Sequence, residues 1–231
     1  MANWTKVLVP LTIILAVLGA AQGHFAGEPG VVQVITKTVR EDLDSIEIDL
    51  YIPVIEGMTD KALQTKINRQ LEDRIMSFSA ELASEAERSA EELKETNLPF
   101  RRYQAYTRFD VYGNDKDILS LPITFYQYTG GAHGLSFIES TNIDLESGKQ
   151  LTLTDFLTGA DRQEILMKAI REQIAAAEED YFPESLNLTA LPNEGDFYLE
   201  GDQLVVYYDS YEIAPYATGI PAFKIPLSLL D

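Results

Sequence analysis

The sequence predicts an α+β protein, with antiparallel sheets and two main helices packed on them in the order ββαβββαβββ. Three observations lead there. Short segments with strict two-residue alternation, separated by turn residues, make up most of the chain. Two long stretches repeat their apolar residues once per helical turn. Both helices fall between runs of strands, whereas a doubly wound parallel sheet needs a crossover helix for almost every connection.

The first strand pair is read from residues 31–39, rich in Val, Ile and Thr, and residues 45–52. In the second, Ile46, Ile48, Leu50 and Ile52 alternate with Glu47, Asp49 and Tyr51, the pattern of a half-buried strand. Pro53 ends that strand or sets its edge. A long helix follows, with Thr59 as its expected N-cap and Asp60 in the first turn. Leu63, Ile67, Leu71, Ile75, Phe78, Leu82, Ala86, Ala90 and Leu93 form one stripe. About 35 residues of helix would run ~50 Å. A compact domain of this size is roughly 40 Å across, so the end at residues 84–96 is expected to overhang or bend.

Asn97-Leu98-Pro99 stops the helix. Residues 103–112 and 117–128 are expected to form a hairpin through Gly113-Asn114. Asp110, Asn114, Asp115 and Asp117 cluster at its tip, but their spacing does not make a calcium loop, and a solvated turn is the simpler reading. A strand over residues 135–145, a turn at Glu146-Ser147-Gly148-Lys149, and a second helix to about Asp180 come next. Asp161 with Glu164 is the expected capping pair of that helix, and Ile165, Ala169, Ile170, Ile174 and Ala177 its buried stripe. Residues 196–199 and 203–208 pair across Glu200-Gly201-Asp202, and a last strand lies near residues 221–227. The likeness between residues 66–71 and 168–174 is too weak to define an internal repeat.

Composition narrows the function classes. The chain of 231 residues carries a formal charge of −19 and no cysteine. The charge disfavours nucleic acid and anionic lipid, and favours cationic partners. The missing thiol removes disulfides, thiol catalysis and cysteine-ligated zinc. At the N-terminus, a flank with one lysine precedes an apolar run from Val7 to Ala21, followed by small residues. Residues 1–23 therefore read as a cleaved secretory signal, with an uncleaved N-terminal anchor as the alternative, and residues 24–30 as a linker. The rest is expected outside the cytoplasm, secreted or periplasmic, touching a membrane only through an uncleaved anchor.

Catalytic motifs are missing. There is no G-x-S-x-G elbow, no phosphate-binding glycine loop and no H-E-x-x-H. No cofactor, metal site or catalytic residue is assigned. Two segments stand out instead. Tyr126-Gln127-Tyr128-Thr129-Gly130-Gly131-Ala132-His133-Gly134 places two tyrosines on one strand face beside three glycines and the one histidine outside the N-terminal region. His133 could be a general base, a lone metal ligand, or a ring bonded to local carbonyls, and the last is the favoured reading. The second segment runs from Tyr207 through Tyr211, Glu212, Pro215 and Tyr216 to Gly219. Tyrosines beside glycines suit recognition, because each presents a large rigid area with a polar tip. Tyr126, Tyr128, Thr129, Gly130, Gly131, His133, Gly134, Tyr211, Glu212, Pro215 and Tyr216 are the expected binding residues.

Tyr128-Thr129-Gly130-Gly131-Ala132-His133-Gly134, the stretches 142–149 and 151–156, and residues 211–219 with 223–226 resemble a bacterial cell-envelope family. It comprises RsiV-type anti-sigma ectodomains and the non-catalytic region of PdaC-type peptidoglycan deacetylases. The resemblance implies a PdaC-like half over residues 31–128 and a second half, of the unknown-function type, over residues 129–231. It further implies a non-catalytic module recognising a lysozyme-like basic protein or wall glycan. Six residues precede the apolar segment, too few for a sigma-binding region, and no histidine follows His133 to serve a deacetylase. Neither part is therefore expected. The alternative is a glycan hydrolase or esterase using surface carboxylates and His133.

Overall fold

The computed structural model describes residues 32–113 and 117–230. The expected leader and linker, and the turn residues Asn114 and Asp115, lie outside them. The fold is α+β, with two sheets and a long helix over the larger one. Strands β1 (Gln33–Asp42) and β2 (Ile46–Glu56) form an antiparallel hairpin. Helix α1 (Lys61–Glu95) then carries the chain over the sheet to β3 (Tyr103–Phe109). Strands β4 (Tyr112–Gly113), β5 (Ile118–Tyr128) and β6 (Leu135–Asp144) complete the sheet, with β6 paired to β5.

One pairing departs from expectation. Ile46–Leu50 of β2 runs parallel to Tyr103–Thr107 of β3. The reason is α1 itself: a helix joining two neighbouring strands on one sheet face returns the chain in the same direction. Both prolines in this sheet occupy positions that spare the ladder. Beyond Leu50, β2 has no strand on its second side among the described residues, and Tyr51 and Ile55 turn their main-chain groups to Thr107 Oγ1 and to the Asn68 amide. Pro53 lies between them, so its missing N–H faces that open side. Pro122 sits inside β5, where β3 and β4 form one interrupted column. Asp110 N donates to Pro122 O, and the missing return bond is where the column breaks.

Helix α1 begins at Asp60, whose side chain accepts from Leu63 N at 2.9 Å; the N-cap is thus one residue later than expected from Thr59. Ile67, Leu71, Ile75, Phe78, Leu82 and Ala86 are buried against the sheet, and Phe78 stands edge-on to Phe125 and Phe137. Past Ala86 no residue of the helix is buried, and Ala90 and Leu93 are half-exposed. The charged end overhangs, as its length implied, by about 13 Å of helix.

After β6 the chain forms α2 (Leu153–Phe156), α3 (Ala160–Ala176) and an antiparallel sheet of β7 (Phe197–Glu200), β8 (Gln203–Tyr207) and β9 (Ala222–Pro226). The expected capping pair Asp161 and Glu164 does not form: α3 starts from Gly159 with no side-chain cap, and a capping box of Thr152 with Asp155 instead opens the short α2. The buried face of α3 is Leu166, Met167, Ile170 and Ile174, with Ile165 and Ala169 at its margin.

The larger sheet and the β7–β9 sheet join through a buried polar relay. Asn142 is 1% exposed and Ser120 is 0% exposed. Leu199 N donates to Ser120 Oγ at 3.1 Å, Ser120 Oγ donates to Asn142 Oδ1 at 2.7 Å, and Asn142 Nδ2 donates to Phe197 O at 2.9 Å. These side chains stand in for a neighbouring strand on the outer edge of β7, meeting its Phe197 carbonyl and Leu199 N–H. Tyr112 stacks on Tyr198 beside the relay, 5.3 Å between centroids.

Candidate functional site: an aromatic cluster on two loops

The link between β5 and β6 is held by its own backbone. Gly130 has φ +85°, and the carbonyl of Gly131 accepts from Arg101 Nη1 at 3.2 Å and from Tyr128 OH at 3.0 Å. Gly134 is buried against the ring of Tyr126. A Cβ there would lie 2.4 Å from three of its atoms, so only glycine fits without moving the ring. Tyr126 stacks in turn on its cross-strand partner Tyr106 at 5.6 Å. Burial, and then the nearby Glu47 carboxylate, push the Tyr106 phenol up to about 12.

The second loop connects β8 to β9. Of the four tyrosines from the end of β8 through this loop, Tyr207 and Tyr208 are core residues, whereas Tyr211 is 50% exposed and Tyr216 39% exposed. Tyr211 has φ +69°, a conformation a bulky side chain rarely adopts. The turn that holds it is closed from both sides. Asp209 N donates to Glu212 Oε2 at 3.0 Å, and Glu212 N donates to Asp209 O at 3.1 Å. Pro215 leads into the short 3-10 turn Tyr216–Thr218, anchored where Thr218 Oγ1 donates to Asp180 O at 2.7 Å.

The loops meet at His133. Its ring stacks on Tyr216 with 3.8 Å between centroids, and Tyr216 packs against Tyr211 at 5.9 Å. Tyr216 OH donates to Gly134 O at 3.0 Å. The same carbonyl lies 3.0 Å from His133 Nδ1, which places the ring proton there. Nε2 then faces the Tyr211 hydroxyl at 3.5 Å. This is the reading in which the histidine bonds a local carbonyl. Neither ring nitrogen meets a carboxylate, serine or threonine among the described residues. The arrangement offers stacking surface and hydroxyl tips.

The expected residues therefore fall into groups. His133, Gly134, Tyr211 and Tyr216 are in direct contact, with Tyr126 beneath Gly134. Tyr128, Gly130 and Gly131 shape the loop base; Gly131 itself has room for a side chain. Thr129 is exposed at its rim. Glu212 spends its carboxylate on the turn that aims Tyr211. Arg101 and Tyr106 belong to the site but are not among the residues picked from sequence. Tyr106 was legible through alternation, since it shares a face with Gln104 and Arg108 on β3. Arg101 carried no local signal.

Comparisons with known proteins agree on the type of chain. Residues 39–136 match the family model described as deacetylase PdaC, and residues 154–228 match that of a protein of unknown function, DUF3298. The chain is similar to the anti-sigma-V factor RsiV of Bacillus subtilis, 23% identical over 84% of this chain and 67% of that protein. It is also similar to the peptidoglycan-N-acetylmuramic acid deacetylase PdaC of the same organism, 19% identical over 99% of this chain and 50% of that one. The chain spans about half the length of that second relative. A crystal structure of a DUF3298-family protein from Bacteroides fragilis has the same fold, with a TM-score of 0.65 and 24% identity over 87% of this chain and 92% of the other. One from Pseudomonas aeruginosa gives 0.58 at 18% identity, over 88% and 93%. The resemblance to the RsiV and PdaC type stands. Among the described residues no helix is long and apolar enough to cross a membrane.

Proposed function

For a chain that joins a PdaC segment to a DUF3298 segment, we propose a non-catalytic, extracytoplasmic binding module of the bacterial cell envelope. Its ligand-facing surface is the cluster of His133, Tyr211 and Tyr216, and its ligand is a lysozyme-like basic protein. The observation that carries this reading is the convergence of two loops, some eighty residues apart, on one exposed aromatic patch. One of the rings is held there in an unfavourable backbone conformation, and strain of that kind gathers at functional sites. The charge of −19 supports a cationic partner, since it raises the encounter rate at low salt.

Calorimetric titration of the protein with a basic lysozyme, at low and moderate salt, tests this. Saturable binding that weakens with salt is expected. Replacing Tyr216 by Ala should cost roughly 2 kcal/mol or more, the scale of an aromatic hot spot. No heat at either salt removes lysozyme, and heat with soluble wall fragments instead makes glycan the ligand. A hydrolase or esterase reading is opposed by the bonds of the His133 ring. Turnover of a wall substrate that disappears in His133→Ala would reinstate it.

A further inference from the structure

A second feature lies well away from the aromatic loops. Between the first turns of α1 and strands β5 and β6 runs a cleft of about 310 Å3. Its walls are Ile67 and Leu71 from the helix, with Ile123 and Ile143 from the sheet, all buried side chains. It is stopped at both ends. At one end Arg74 Nε donates to Glu139 Oε2 at 2.9 Å, a fork that ties helix to strand. At the other, Leu63 lies so close to Gly148 that a Cβ on Gly148 would overlap it at 1.9 Å.

The sequence of β6 explains the opening. The residues it turns toward α1 include Phe137, Glu139, Thr141 and Ile143. Phe137 fills its space by stacking on Phe125 at 4.9 Å. Glu139 reaches up to Arg74, and Thr141 is too small to fill what remains. Protein interiors rarely leave apolar walls unfilled, and this volume is at the small end of ligand pockets. The mouth is polar, with Lys66, Gln70 and Gln150 around it. Arg74 is neutralised by Glu139, whereas Lys66 makes no ion pair among the described residues, so the described lining keeps one excess positive charge in a strongly acidic chain.

We infer that this cleft is a binding site for a small amphiphilic carboxylate. Its apolar body lies against Ile67, Leu71, Ile123 and Ile143, and its carboxylate meets Lys66 at the mouth. An ammonium at the same mouth would be repelled, and a neutral alcohol would leave Lys66 without a counter-charge. Each methylene buried should tighten binding about fourfold until the cleft is full.

The test is a titration of the whole protein with hexanoate, octanoate and decanoate, followed by NMR, with octylamine and octanol as comparators. Affinity should rise about fourfold per methylene across the filling part of the series. Octanoate should bind at least tenfold more tightly than octylamine. Lys66→Glu, a surface change that leaves the core untouched, should weaken octanoate at least tenfold. Thr141→Leu should plug the cleft and abolish binding. Equal affinity for octylamine, no dependence on chain length, or octanoate binding unaltered in Lys66→Glu would each overturn the inference. So would co-sedimentation with phosphatidylglycerol vesicles in a protein indifferent to free octanoate, since the anion would then be a membrane surface.

Discussion

Replacing Asn142 by Ala should be among the most damaging single substitutions outside the apolar core. The side chain bridges two groups that have nowhere else to turn. It accepts from Ser120 Oγ and donates to Phe197 O, in a place with essentially no solvent. The substitution strands a buried carbonyl and a buried hydroxyl. Each group left unsatisfied costs about 1–3 kcal/mol, so roughly 2–6 kcal/mol is expected. With a urea m-value of about 2 kcal/mol/M, the midpoint should fall by roughly 1–3 M, read by circular dichroism on the whole protein. Ser120→Ala should cost a similar amount, because Leu199 N loses its acceptor. The double variant should cost less than the two singles together, with a coupling of about 0.5–3 kcal/mol. A midpoint within about 0.3 M of the parent for Asn142→Ala would refute the idea that this relay joins the two sheets.

Other outcomes are equally checkable. Gly134→Ala should cost about 1–3 kcal/mol in urea unfolding by pushing against the Tyr126 ring, and Tyr126→Ala in the same chain should recover part of it. Tyr211→Gly exchanges about 1 kcal/mol of relieved strain for about 0.5–1.5 kcal/mol of lost stacking, so stability should move by less than ~1 kcal/mol while ligand binding falls. Leu82→Ala should cost about 2–5 kcal/mol and Leu93→Ala less than ~1 kcal/mol, since only the first is buried. Burial raises the Asp49 carboxyl, but hydrogen bonds from Arg108 and Arg40 outweigh it and hold the group below its usual range. A depressed carboxylate stabilises the fold fully above its unfolded pKa of about 3.9 and loses that effect as pH falls through the folded value. The stability gap between the parent and Asp49→Asn should therefore be constant near neutrality and close below about pH 4; a gap unchanged to pH 3 would contradict this.

Most elements were legible because one face of each is dry. The alternation of residues 46–52 and the stripe from Ile67 to Ala86 are burial written directly into spacing. What escaped depends on partners distant in sequence. Nothing local says that Ile46 pairs in parallel with Tyr103, or that Ser120 and Asn142 are aimed at β7. The cap of α1 was missed by one residue, since Thr59 and Asp60 are both good caps and only the backbone path selects one. Glu164 was assigned to a cap, but its carboxylate instead meets Arg171 along α3. The aromatic site was legible as two segments, but not as one place. Stacking of His133 on Tyr216 requires the β8–β9 loop to fold back over the β5–β6 link, and no spacing rule carries that information. The split of Tyr207 and Tyr208 from Tyr211 and Tyr216 was hidden for the same reason.

The parallel pairing of β2 with β3 also sets an order of assembly. The hairpins β1–β2 and β5–β6 close over short connections, whereas joining Ile46 to Tyr103 closes a loop that contains all of α1. That closure costs roughly 3–4 kcal/mol of chain entropy before any contact compensates for it, and contacts between distant segments slow folding. The hypothesis is that two locally formed hairpins wait for the helix to bring them together, and that the seam between β2 and β3 zips last. Folding φ-values near zero at Thr107 and high within β5–β6 would bear this out, and the reverse pattern would dismiss it. The middle of the larger sheet, its best-covered place, would then be the last part of it to exist.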